Sequence, residues 1–367
     1  MPYTRAAFFR DRIPVPVRLD FHSFESAFLP AFHHHIQESR LHTATFDLRE
    51  VREADLPEMI LLAAAAEHLR AKGWTTIRFH FGDLCSAERT HFVQFVQNWG
   101  LVGFLAERGF DSDWDQISGV DPTIVLPIRE LTPITLGTVV EDIGTVLISL
   151  CPWIASKQVL SIATALVGEI SENALDHAYP PSAATRRPLR VISARRVLAK
   201  RHDTKEYWFT FFSYFHEFTD YIELAVIDGG VGIAKSLRPQ WRATISRKIR
   251  EEQLREPFRA KLEDELACLR WVLSKNRSSR VRDLRRGYGL YSAKQHATIG
   301  WGGVMCLRSG HSRVIRLPEG ASGTISDSDA LQPFAGTQVR FFLPLVDRSR
   351  EIQEVMDSLE KATGASS

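Results

Sequence analysis

The sequence predicts an α/β protein of two units, and three patterns carry that prediction. From Thr43 to Arg108, short alternating strands and helix-period segments take turns. From Leu189 to Asp228, three β-branched or aromatic runs follow one another with only polar turns between them. Upstream of these, Ser156 to His177 contains no Pro and a single glycine, Gly168, while Val159, Ile162, Ala163, Leu166 and Ile170 recur at the spacing of one helix face.

Taken in order, the first 40 residues carry a His33-His34-His35 triplet. Adjacent helix positions do not face one another, so a solvated helix face is expected there rather than a metal cluster. A-T-F-D-L reads as a strand. Leu56 to Lys72 reads as a helix stopped by Gly73, T-T-I-R-F-H-F as a second strand, and His91 to Arg108 as a second helix burying Phe92, Phe95, Val96, Leu101 and Phe104. These define a first unit, residues 1–112, with an N-terminal extension. Residues 113–123, rich in Asp, Ser, Gly and Pro, read as a linker. The second unit, 124–348, opens with the strand I-V-L-P-I-R-E-L and a helix from Thr135 to Leu150. After the long helix comes a Pro- and Arg-rich loop, Tyr179 to Arg187. The strands Leu189–Leu198, Glu206–Phe215 and Tyr221–Asp228 follow, with antiparallel pairing expected, and residues 349–367 read as a terminal helix or tail.

Composition excludes several classes. The 367 residues are 44% hydrophobic and 25% charged, with a net charge of +2, which gives no global bias toward nucleic acid or membrane. Cys85, Cys151, Cys268 and Cys306 are widely spaced, so neither a zinc site nor a disulfide framework is suggested, and a reducing compartment fits. The start of the chain lacks the pattern of a signal peptide, and the longest apolar run, Met59 to Ala66, is too short to cross a bilayer. A cytoplasmic protein with no membrane partner is the expectation.

Four short motifs suggest chemistry. In G-E-I-S-E-N-A-L-D-H-A, Gly168 to Ala178, a regular helix at about 100° per residue puts Glu169 and Asn173 beside Leu166 and Ile170 on the apolar stripe. A carboxylate and an amide aimed inward need polar company. V-I-D-G-G-V-G-I-A-K, Val226 to Lys235, ends a strand with a carboxylate, Asp228. Its glycines Gly230 and Gly232 permit positive φ and close approach of a flat ligand. R-R-G-Y-G-L-Y-S-A-K, Arg285 to Lys294, introduces a helix near Leu290 whose free N–H groups form an anion site. A-G-T-Q-V-R-F-F-L-P-L places Gly336 and Thr337 just before a closing strand.

In this order, E-x-x-x-N, D-x-G-x-G, G-x-G-L and G-T, the motifs resemble the GHKL superfamily of ATPases, and E-N-A-L-D-H-A-Y-P is most similar to its anti-sigma-factor serine kinases. The resemblance covers about residues 155–345. It implies a Bergerat-type sandwich, a mixed sheet with helices on one face, and ATP and Mg²⁺ as cofactors. It also implies roles: Glu169 as general base or orienting the attacking group, Asn173 on Mg²⁺, Asp228 on the adenine amine and Gly230 and Gly232 beside the base. Arg286, Gly287, Gly289 and Leu290 would lie at the phosphate-binding lid, with Thr337 supporting Asp228. His177 recurs in the serine kinases, where packing, capping and phosphate contact all remain open.

The first unit resembles the STAS fold of anti-sigma-factor antagonists, over about residues 40–110. D-L-R-E-V spans Asp47 to Val51, an apolar helix follows, and N-W-G-L-V-G-F-L closes the unit. The turn where antagonists carry a phosphorylated Ser reads A-D-L-P-E-M, Ala54 to Met59, without a hydroxyl. A docking module for a protein partner is what that resemblance implies. Residues 235–286, the expected lid, hold 16 Lys or Arg against 7 Asp or Glu. A solvated helical hairpin, Arg285 or Arg286 reaching the γ-phosphate, and an anionic partner such as nucleic acid are the readings, although no DNA-reading motif accompanies the charge. Three functions stay open: a slow ATPase whose lid controls a partner surface, a protein serine/threonine kinase acting on a separate partner, and a non-enzymatic nucleotide sensor.

Overall fold

The computed structural model describes residues 11–39, 42–82, 89–113, 124–179, 189–198, 220–236, 265–273, 289–318, 327–328 and 331–345. Strands β1 (Arg12–Pro14), β3 (Thr43–Asp47), β5 (Thr76–His80) and β6 (Asp111–Ser112) form a parallel sheet in that spatial order, and β2 (Arg18–Leu19) pairs with β4 (Glu53–Ala54) beside it. Helical segments fill each crossover, as parallel neighbours require. They include Leu29–Glu38, Leu56–Ala71, and the pair Thr90–Asn98 and Leu101–Glu107. One face of the sheet is apolar: Ala44, Phe46, Ile77 and Phe79 are buried, with the Phe46 and Phe79 rings stacked at 4.9 Å.

The second unit is a six-stranded sheet in the order β11 (Ser312–Arg316), β10 (Val304–Gly310), β12 (Phe334–Pro344), β9 (Asp220–Asp228), β8 (Arg190–Leu198), β7 (Ile124–Glu130). The mixed sheet expected here is replaced, among the described strands, by antiparallel pairing throughout. The β7–β8 connection explains one such pair. It holds two successive helices, Leu136–Leu150 and the long one from Ser156 to His177, and a second helix reverses the return made by the first. β8 pairs directly with β9, from Arg190 opposite Asp228 to Leu198 opposite Asp220, so the first and third expected strands are neighbours. The expected strand 206–215, the loop 180–187 and the terminal segment 349–367 lie outside the described residues.

Helices cover one face of this sheet, and Val139, Ile143, Leu166, Ile170, Leu224, Val226 and Phe341 share its core. The other face is covered by the first unit. Helix Leu56–Ala71 is apolar nearly all round, with Met59 through Ala66 and Leu69 buried, because it lies between the two sheets and contacts β5, β9 and β12. Val191, Ile227 and Phe334 join the first unit's core, and Phe334 meets the Phe24 ring edge-on at 5.8 Å.

Charge is buried in this seam. Arg340 reaches Glu58 with two bonds, 2.9 and 3.0 Å, and Glu223 with its Nε at 3.1 Å. Arg195 bonds Glu223 at 2.7 Å and Asp55 at 2.9 Å, while Arg308 pairs with Glu25 at 2.7 Å. Asp55 and Glu58 belong to the stretch Ala54–Met59, where the antagonists in the STAS resemblance carry a phosphorylated Ser, and both side chains face this chain's own sheet.

Three local expectations are corrected. His91–Arg108 is two helices, because Gly100 takes φ +66° between them, and Phe95 is only half-buried. Of the histidine triplet, only His34 is fully solvated. His35 is buried against Trp74, and the His33 Nε2–H donates to the Pro333 carbonyl at 2.9 Å. Gly336 and Thr337 lie within β12 rather than before it, where the register with β10 shifts between Ser309 and Gly310. No described helix is long and apolar enough to cross a membrane.

Candidate functional site

The long helix contains a π turn at Thr164–Gly168, immediately before Glu169. That turn takes one extra residue, and the buried stripe shifts with it. Val159, Ile162, Ala163 and Leu166 would continue regularly to Ile170, Asn173 and His177. The buried positions after the turn are instead Ile170, Ser171, Ala174 and Ala178. Glu169 is therefore exposed and Asn173 half-buried, at the edge of the stripe and not on it, which corrects the inward orientation expected of a regular helix. Asn173 Nδ2 donates to the Glu169 backbone carbonyl at 2.7 Å, and this leaves Oδ1 pointing its lone pairs elsewhere.

Helix Gly289–Gln295 packs against this edge. A Cβ on Gly289 would stand 2.9 Å from Asn173 Nδ2 and 2.9 Å from Glu169 Oε2. The absent side chain is what lets this helix start close to both groups. Leu290 packs, half-buried, against the helix-side core. Arg285, Arg286 and Gly287 lie outside the described residues, as do 237–264 and 274–288 of the basic segment and the side chain of His177.

Asp228 ends β9 almost fully buried, at 6% exposure. Its Oδ1 accepts the Gly230 N–H at 2.9 Å and the N–H of Thr337, its antiparallel partner on β12, at 3.2 Å. Burial pushes its pKa up to about 6, opposed by the Gly230 N–H, by the hydroxyl and N–H of Thr337, and by Arg190. The loop beyond Asp228 docks on the end of the long helix, where the Val231 N–H donates to the Ala178 carbonyl at 2.8 Å. A Cβ on Gly230 would fall onto that same carbonyl oxygen, so this glycine is required by the chain's own packing. Gly232 is the loop position with positive φ, +80°.

Glu169, Asn173 and Gly289 thus form one group and Asp228, Gly230 and Thr337 another, joined through Ala178. Sequence reasoning missed two supports. Ser309 Oγ accepts the Ile233 N–H at 2.9 Å and donates to the Gly336 carbonyl at 3.2 Å, clamping the glycine loop to the start of β12. The Tyr179 hydroxyl accepts the Leu189 N–H at 3.0 Å, tying the helix end to β8. Neither had a local signal, since each contact closes only when distant strands pair.

Among the described residues, no group of three or more His, Cys, Asp or Glu is arranged to hold a metal ion. An oxygen donor for a hard cation is present at Asn173, and a carboxylate stands beside it at Glu169. Comparison with protein-family models, with curated proteins and with solved structures finds no match to this chain.

Proposed function

We propose that the chain is a Mg²⁺-ATP-binding protein of the GHKL type, with a Bergerat-like second unit and a STAS-like first unit, and that it hydrolyses ATP slowly. The observation that carries this reading is Asp228. It is a buried carboxylate at a strand end, held by two backbone N–H groups, with acceptor capacity left for an exocyclic amine. The residues fit the expected ligands. Asn173 offers Oδ1 to a cation that prefers oxygen, and the bare Gly289 lets a helix start close beside it. Bound Mg²⁺ would neutralise charge on the triphosphate oxygens.

The chain's own groups then divide the work. Asp228 selects adenine by accepting its amine, and Thr337 keeps that carboxylate oriented. Gly289 allows the backbone to approach phosphate. Glu169, exposed and next to Asn173, takes the proton of an attacking water. The turn at Asp55–Met59 carries no hydroxyl, and Asp55 and Glu58 are engaged by Arg195 and Arg340, so the first unit is not read as a phosphate acceptor.

Calorimetry with ATP, ADP and a non-hydrolysable analogue, with and without Mg²⁺, tests the reading. Mg²⁺-dependent ATP binding is expected; no heat with any of the three would overturn it. Glu169→Ala should keep ATP binding and abolish phosphate release, and unchanged turnover would remove Glu169 from the mechanism.

A further inference from the structure

A cavity of about 340 Å³ opens at the C-terminal ends of β9 and β10, between the two units. Glu169, Asn173, Asp228 and Thr337 do not line it. Its wall is built from the glycine loop at Gly230–Gly232 and from helices of the first unit. Five basic side chains from separate stretches of the chain meet there. His33 and His68 come from two helices, Lys72 follows the second of them, Lys235 follows the glycine loop, and His311 sits between β10 and β11.

The acidic counterweight is Glu265, and its Oε2 is already engaged by the His311 N–H at 2.7 Å. Lys72 and Lys235 have no ion-pair partner among the described residues. The charges act on one another: the His68 pKa is pushed down to about 4, first by burial and then by Lys72, His33 and Lys235. Two lysine charges facing one open cleft repel, and an anion between them removes that cost. The remaining lining includes the apolar Phe32, Ala65 and Phe334 and the hydroxyl of Ser309. With roughly 30 Å³ per water, the space suits a ligand larger than a bare ion.

We infer that this cavity binds a small phosphate monoester, with its dianionic head against Lys72, Lys235 and His68. Its carbon skeleton lies along Phe334 and the Gly230–Gly232 backbone. Two lysines match the two charges of the head, and the anion raises the proton affinity of His68, whose neutral ring can still donate an N–H. This site shares the Gly230–Gly232 loop with the adenine nucleotide reading but none of Glu169, Asn173, Asp228 and Thr337.

The test is titration calorimetry of the full chain with glucose 6-phosphate, inorganic phosphate and glucose. Glucose 6-phosphate should bind, inorganic phosphate more weakly, and glucose not at all. Lys72→Met and Lys235→Met, both at exposed positions, should each weaken the ester at least tenfold, whereas Asn173→Ala should leave it unchanged. Imidazole NMR should show the His68 pKa rising by at least one unit when the ester is bound. The inference is overturned if no ester binds, if inorganic phosphate binds as tightly as the ester, or if either lysine is dispensable. Loss of the ester in Asn173→Ala would place it in the other site and equally defeat the proposal.

Discussion

Replacing Arg340 by Met probes the seam between the two units. The side chain is 1% exposed and holds Glu58, itself fully buried, and Glu223. At pH 9, where Glu58 is ionised, the cluster contains two guanidiniums, Arg195 and Arg340, and three carboxylates, Asp55, Glu58 and Glu223, for a formal charge of −1. Arg340→Met takes it to −2 and strands Glu58 in an apolar layer, at a cost of ~3–5 kcal/mol. Glu58→Met on top of Arg340→Met returns the cluster to −1 and fills the space with thioethers. The double variant should recover ~2 kcal/mol or more of that loss. Urea unfolding of the four proteins of the cycle, followed by circular dichroism, measures this. Additivity of the two substitutions within ~0.5 kcal/mol, or an Arg340→Met loss below ~1 kcal/mol, would refute the coupling.

The same cluster dictates a pH dependence. Burial pushes the Glu58 pKa up to about 8, with Asp55 and Glu223 adding to the rise and Arg340 opposing it. Between the ordinary value of 4.5 and that raised value, the folded protein binds a proton that the unfolded chain does not. Stability contributed by this group is therefore complete below pH 4.5 and is lost as pH rises through about 8. A Glu58→Gln variant should show a flatter stability profile between pH 5 and 9 than the wild type. A profile of equal slope would contradict the assignment.

Three further outcomes test the candidate site. ATP affinity should fall as pH drops through about 6, because Asp228 protonates there and loses an acceptor; calorimetry at pH 7.5 and 5.5 would show it, and a pH-independent affinity would count against Asp228. Gly289→Ala places a methyl group 2.9 Å from Asn173 Nδ2 and Glu169 Oε2 and should reduce ATP turnover at least tenfold with an unchanged circular dichroism spectrum; full activity would show that the close approach is not needed. Gly230→Ala drives a methyl group onto the Ala178 carbonyl oxygen, which is backbone and cannot step aside, and should cost ~2 kcal/mol or more in urea unfolding.

What the sequence could reveal divides along physical lines. Local periodicity located the strands at Thr43–Asp47, Thr76–His80, Ile124–Glu130, Arg190–Leu198 and Asp220–Asp228, and the long helix through Glu169, because each is set by its own alternation or face. The phase of that helix was not legible. One extra residue in the π turn moves Asn173 from the stripe to its edge, and no residue in T-A-L-V-G announces the insertion. The outer face of the large sheet was not legible for a different reason. Glu223 and Arg340 alternate with apolar neighbours along β9 and β12, which reads as a polar face turned to water. They are 3% and 1% exposed because the first unit covers them, and their charges are matched by Glu58, Arg195 and Asp55. The clue lay in the covering helix. Met59–Ala66 has no polar side, so it had to be enclosed on both faces, and the parallel sheet alone supplies only one. A second apolar layer was therefore required, and its buried glutamate at Glu58 required a cation there. Arg340 meets that requirement from 282 residues away, a pairing that only the folded chain could specify.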